Sequence, residues 1–155
     1  ENIAPFIKGG EQEKDRRAGT SFVAGAYSMA ESYPKVLKER SQIKEIKNYF
    51  IESLDKAKVD YELNGNLELS SDHVLNIYFK DYKSDFLLTY LDINGICASA
   101  GSACRAGSIL PSHVISNMYD KYRAEHSIRF SFGYQNTRKE VDETIAVLER
   151  LVDER

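Results

Sequence analysis

Cysteine is scarce in this 155-residue chain, with two in all, and there are only three prolines. Two thiols cannot build a disulfide framework, so a reducing compartment, the cytoplasm, is the expected setting. Neither sign of charge prevails. Lys and Arg number 21 against 24 Asp and Glu, a net charge of −3. That balance removes the electrostatic reason to expect direct nucleic acid binding or an anionic membrane surface. Long apolar runs are missing as well. With histidine counted neutral, the longest uncharged stretch is the 14 residues from Ala106 to Tyr119, and Pro111 interrupts it. A membrane span takes roughly 18–20 apolar residues, so no membrane partner is expected. The start of the chain, Glu1-Asn2-Ile3-Ala4-Pro5-Phe6, has no initiator Met, no basic segment and no apolar signal core. It reads as a sequence entered partway through a longer one.

What is present fits one soluble globular domain, with 42% hydrophobic and 29% charged residues. Gly9 to Thr20 is a polar, Gly-containing loop. Thr20 or Ser21 can cap a helix in which Phe22, Ala26, Met29, Ala30 and Tyr33 follow helical spacing. From about Pro34 to Ala57 the pattern predicts a long amphipathic helix, with Val36, Ile43, Ile46, Phe50, Leu54 and Ala57 on one stripe. Val59–Leu63 and His73–Phe79 alternate as strands, separated by the turn residues Asn64-Gly65-Asn66. A short helix capped by Ser84 or Asp85 should end at Gly95 in a left-handed conformation. Ile96–Ser99 reads as a strand, Pro111 as a helix start, and Ser127–Phe132 as a further strand. Thr137-Arg138-Lys139-Glu140 is a capping box for a last helix bearing Val141, Ile145, Leu148 and Val152. Without regular strand–helix alternation, the fold class is α+β: a small, largely antiparallel sheet with helices packed on one face, plus the long amphipathic helix.

The segment Ser99-Ala100-Gly101-Ser102-Ala103-Cys104-Arg105-Ala106-Gly107-Ser108 is unusual, because all but two side chains are Ser, Ala or Gly. Such a stretch offers little apolar surface to anchor it, so a thiol carried there is free to travel. Arg105 beside Cys104 favours the nucleophilic thiolate. Against this stands the burial that free cysteines commonly show, and composition leaves the two readings about even. Cys97, between Ile96 and Ala98, reads as an inert core thiol. No His lies at ligand spacing from either cysteine, so no metal site is expected. Leu110 stands where a cysteine-based phosphatase needs its arginine. In Ser127-Ile128-Arg129-Phe130-Ser131, alternation sends Arg129 to the side away from Ile128 and Phe130. There it can grip a carboxylate with both limbs of its fork, or make an ordinary surface ion pair. Arg16-Arg17-Ala18-Gly19-Thr20 leads into a helix start, which suits either a phosphate or, more simply, a plain cap.

Five blocks occur in order: Gly9-Gly10-Glu11-Gln12-Glu13, Arg17-Ala18-Gly19-Thr20, Ser99-Ala100-Gly101-Ser102-Ala103-Cys104, Leu110-Pro111-Ser112-His113-Val114 and Ser127-Ile128-Arg129-Phe130-Ser131-Phe132-Gly133. Together they resemble the C-terminal part of the cysteine desulfurases, members of the class V aminotransferase superfamily with the fold type I of pyridoxal-phosphate enzymes. The likeness runs from about Phe6 to Leu151. It implies that residues 1–155 are a single C-terminal domain of a longer enzyme. The domain carrying the cofactor lysine would be absent from this chain. The parent would convert L-cysteine to L-alanine and a protein-bound persulfide for iron–sulfur cluster and thio-cofactor synthesis. By the same resemblance Cys104 forms the persulfide, Arg129 holds the substrate carboxylate, and Thr20 bonds the phosphate of pyridoxal 5′-phosphate held mainly by the other subunit of a homodimer. The cofactor belongs to the parent, and none is expected on this fragment alone. A sulfur-acceptor or scaffold protein is the implied partner. Two further readings are a sister class V lyase such as selenocysteine lyase, and a stand-alone sulfur-carrier module. The chain departs from the family pattern at Glu11, where a third glycine is usual, at Arg105-Ala106 and at Ile109-Leu110.

Overall fold

The computed structural model describes residues 4–101 and 111–153. They fall into two compact units, one up to Lys38 and one from Glu39 onward. The second unit is built on a three-stranded antiparallel sheet in the order β1 (Glu62–Leu63), β2 (Val74–Tyr78), β3 (Ser127–Ser131). In β2 and β3 the register pairs Leu75 with Phe130 and Ile77 with Ile128. These four side chains share one face, since neighbours along a strand alternate. Ile43, Ile46, Phe50 and Leu54 of α2 (Val23–Lys56), Leu87 and Leu91 of α3 (Ser84–Ile93) and Val141, Ile145, Leu148 and Leu151 of α6 (Arg138–Asp153) join them in one core. The expected α+β arrangement, helices against one face of a small antiparallel sheet, is the observed one. Two shorter helices, α4 (His113–Met118) and α5 (Lys121–Glu125), precede β3.

Local chemistry explains the helix ends. Past α3, Gly95 has φ +77°, its N–H donates to the Asp92 carbonyl, and the Ile96 N–H reaches back to the Leu91 carbonyl. This pair of bonds needs a left-handed residue, which glycine supplies without a Cβ penalty. The Leu91 carbonyl thus accepts from Ile96 as well as from the Asn94 N–H. At the start of α6, Thr137 Oγ1 accepts from the Glu140 N–H while Glu140 Oε2 accepts from the Thr137 N–H at 2.7 Å. The backbone bond from Thr137, then its hydroxyl, hold the Glu140 carboxyl below the usual carboxylate range. The stabilisation from this box is therefore present above the ordinary glutamate pKa and fades as pH falls through the lowered value. Thr137→Ala is expected to cost about 1 kcal/mol in urea unfolding at neutral pH, and an unchanged midpoint would contradict the capping role.

Several sequence expectations need correction. Pro34 does not start a helix; it lies inside α2, whose good helix formers on both sides outweigh one missing N–H. Val36 is exposed, unlike the rest of its predicted stripe, and the buried face includes Lys47. The Lys47 ammonium donates to Ser70 Oγ and to the Ser71 carbonyl, each at 2.8 Å. Pro111 stands just outside α4, where Ser112 is the cap, its hydroxyl accepting from the Ile115 N–H. α5, which periodicity did not reveal, is capped by Asp120 through the Arg123 N–H. Ile96–Ser99 is not a strand; only Ser99 pairs, in an isolated antiparallel bridge to Arg129.

The first unit holds the single turn α1 (Gln12–Asp15), in which Glu13, Lys14 and Asp15 have positive φ, and the beginning of α2. Ala18 is its buried residue, and the Ala18 N–H donates to the Ile7 carbonyl. Ser21 does not spend its hydroxyl on the helix start but donates it to Glu13 Oε1 at 3.0 Å.

Candidate substrate-anion site

The sheet face opposite the core is polar. Asn76 stands directly across from Arg129, and Ser99 bridges Arg129 from the other side. The Asn64 N–H donates to the Asn76 carbonyl, which brings Asn64 level with the same row. Asn64, Asn76, Arg129 and Ser99 therefore line up across the sheet on one side, because residues paired across strands share a face.

Arg129 is half-buried, and its Nη2 donates to Ser99 Oγ at 2.9 Å. The Arg129 Nε is buried with no hydrogen-bond partner among the described residues. A buried donor without an acceptor costs about 1–3 kcal/mol, more when charged. An anionic oxygen placed beside it removes that cost. The sheet so holds a guanidinium with one buried N–H unpaired, and the surface ion pair that the sequence left open is not what the structure shows among the described residues.

Arg123 anchors the other end of the row. Its guanidinium lies between the Tyr78 and Tyr119 rings, 4.6 and 4.2 Å from their centroids. It donates to Glu62 Oε2, Asn64 Oδ1 and the Leu63 carbonyl. Cation–π contact and a paired carboxylate hold this arginine as a fixed strut. Reading the sequence missed Arg123, Asn64 and Asn76. Asparagine is depleted in strand interiors, so its presence in the middle of the alternating run His73–Phe79 was the available signal.

Thr20 is exposed and belongs to the first unit, whereas Arg129 belongs to the second. The Thr20 carbonyl, with that of Gly19, accepts from Arg17 Nη1. Its hydroxyl makes no bond among the described residues. Cys104 lies outside the described residues. Cys97 overturns its expected burial: it is exposed, on the wall of a cavity of about 380 Å³ that Phe130, Phe132, Asn136 and Glu140 also line. It leaves the chain at the end of the Gly95 turn, where Ile96 and Ala98 take the inward positions. None of the four residues of the donor row lines this cavity. Among the described residues no group of His, Cys, Asp and Glu suits a metal ion, and no helix is long and apolar enough to cross a membrane.

A small antiparallel sheet with helices on its core face and an arginine with an unpaired buried N–H on the other defines an α+β domain. The aminotransferase class-V family matches residues 7–144, and the chain belongs to that family. Its relatives include the Bacillus subtilis (strain 168) protein named "Putative cysteine desulfurase IscS 1", 43% identical over 145 residues, covering 90% of this chain and 38% of that protein. "Cysteine desulfurase IscS" of Dictyoglomus turgidum (strain DSM 6724 / Z-1310) is 35% identical over 156 residues, covering 97% of this chain and 40% of the relative. Among solved structures, a NifS-like protein from Rickettsia africae ESF-5 superposes with a TM-score of 0.76 at 25% identity, over 98% of this chain and 41% of that one. The chain thus spans about two fifths of the length of the relatives it matches.

The family works with pyridoxal phosphate, whose electron sink requires a lysine to carry it. Lys47 is the buried lysine among the described residues, and its ammonium is occupied by Ser70 and Ser71. Burial in that packing lowers its pKa, but nothing frees it to carry a cofactor. Thr20 presents an exposed hydroxyl that bonds no described residue, the donor type a phosphate oxygen accepts. The described residues do not fit the cofactor's carbonyl end.

Proposed function

We propose that this chain is the C-terminal domain of a pyridoxal-phosphate-dependent cysteine desulfurase, which turns L-cysteine into L-alanine and leaves the sulfur as a persulfide on Cys104. Arg129 holds the substrate carboxylate, and Thr20 touches the cofactor phosphate from a neighbouring subunit of a homodimer. The observation that carries this reading is the buried Arg129 Nε without an acceptor, in a chain of this family. Sequence distance supports the pairing of roles. Ser99, hydrogen-bonded to Arg129, precedes Cys104 by five residues, and five residues reach at most about 17–18 Å. A thiol tethered at that distance can serve a substrate held by the arginine. The Bacillus subtilis and Dictyoglomus turgidum relatives carry the desulfurase name, and neither is named as a selenocysteine lyase or a sulfur carrier.

The cofactor lysine then belongs to the part of the enzyme that this chain does not span. The sulfur goes on to an acceptor or scaffold protein, for iron–sulfur clusters and thio-cofactors. A persulfide and a free thiolate suit a reducing compartment, so the cytoplasm is the proposed location. The direct test compares two preparations. Supplied with pyridoxal phosphate and L-cysteine, the full-length enzyme is expected to form alanine and the purified 155-residue chain none above buffer. Alanine from the chain alone at enzyme-like rates would show that the active centre has been misplaced.

A further inference from the structure

The proposed desulfurase reading leaves Arg129 as the one partner of the substrate carboxylate. We propose that Asn76 is a second carboxylate-binding residue, its side-chain N–H₂ aimed by a relay that begins at Arg123. The relay is fixed from one end. A guanidinium only donates, so the Arg123 Nε bond obliges Asn64 to present Oδ1 to it. Asn64 Nδ2 is thereby turned the other way, donating to Asn76 Oδ1 at 2.7 Å and to Ser127 Oγ at 2.8 Å. Ser127 can only accept there, because its own hydroxyl proton goes to the Arg123 carbonyl at 2.6 Å. Asn76 must then offer its oxygen to Asn64, which leaves its Nδ2 with two hydrogens and no bond among the described residues. Each amide orientation follows from the one before it, so neither asparagine can be flipped without breaking the chain of bonds. Hydrogen bonds in series polarise one another, and a cation at the head makes the terminal N–H₂ a stronger donor.

That donor stands opposite Arg129, whose buried Nε also lacks an acceptor. Two donor groups facing each other on paired strands, the Arg129 Nε buried and the Asn76 N–H₂ reachable from solvent, suit one ligand with two acceptor oxygens. A carboxylate has them, and Ser99 takes only one of the two Arg129 Nη2 hydrogens, which leaves the other for the same ligand. Asn76 is thus a specificity residue, responding to the carboxylate of cysteine and not to its amine or thiol.

The test uses the full-length enzyme with Asn76→Asp, an isosteric change that keeps the acceptor for Asn64 Nδ2 and replaces the free donor with an anion. Asn76→Ala accompanies it, and thermal melting verifies that both fold. Cysteine is compared with 2-aminoethanethiol, which has the same amine and thiol but no carboxylate. Asn76→Ala is expected to raise the KM for cysteine about 10- to 100-fold, as loss of one hydrogen bond to a charged group does. Asn76→Asp is expected to raise it further, and the inhibition constant of 2-aminoethanethiol should stay within about 2-fold. Equal weakening of both compounds, an unchanged KM for cysteine, or loss of pyridoxal phosphate with cysteine binding intact would each overturn the proposal. Arg129→Ala, run alongside, separates the two claims. If it too leaves cysteine binding unchanged, the desulfurase reading falls; if it weakens cysteine while the Asn76 variants do not, only the role of Asn76 falls.

Discussion

Arg129→Ala in the full-length enzyme is expected to raise the KM for L-cysteine by about 100-fold or more, with a much smaller change in kcat. A guanidinium bonding a carboxylate loses two charge-assisted contacts on truncation, each worth about 1.5–3 kcal/mol, and every 1.4 kcal/mol is tenfold. The fold should not suffer in proportion. Arg129 gives up its bond to Ser99 Oγ but also relieves the buried, partnerless Nε. Arg129→Met, which fills the space of the stem, is therefore expected to melt at or above the temperature of the unaltered enzyme. Arg129→Lys should recover little of the lost affinity, since an ammonium cannot reproduce the planar fork. A structural arginine would behave in the opposite way, with a lowered melting temperature and an unchanged KM. Steady-state kinetics with thermal melting on the same preparations distinguishes the two.

Cys104→Ser has the larger expected effect. Cysteine should still bind, with its KM within a few-fold, while sulfur transfer falls by about 10³-fold or more, because a serine hydroxyl at neutral pH is a far weaker nucleophile than a thiolate. Cys97→Ser is the matched control. That thiol is exposed beside the turn at Gly95, on a cavity that the donor row does not line, and its loss should leave turnover unchanged. Equal losses in the two variants would contradict the assignment of the working thiol to Cys104 alone.

Much of the architecture was readable from spacing because hydrophobic pattern and end chemistry agreed. Val141, Ile145 and Leu148 repeat at helical intervals behind a capping box, and α6 buries that face. The alternation around Ile128 and Phe130 put Arg129 on the far side of its strand, which is where it lies. The misreadings have physical causes. Pro34 signals a break locally, yet the segment around it is helix-favouring enough to run through. Ile96–Ser99 has the composition of a strand, but the Gly95 turn delivers only Ser99 to a partner. Cys97 was assigned to the core by its apolar neighbours, and those neighbours took the inward positions. The donor row was illegible for a different reason. Asn64, Asn76 and Ser99 are polar residues of ordinary kind, scattered along the sequence, and only the antiparallel register sets them beside Arg129.

The central claim is that sulfur leaves cysteine and comes to rest on one particular thiol of this chain. Incubating the full-length enzyme with L-cysteine, trapping persulfides with an alkylating reagent and mapping peptides by mass spectrometry tests it most directly. One added sulfur on the peptide containing Cys104, absent from the Cys97 peptide and lost in Cys104→Ser, is the predicted result. Sulfur on Cys97 instead, or alanine formed with Cys104 unmodified throughout, would contradict it.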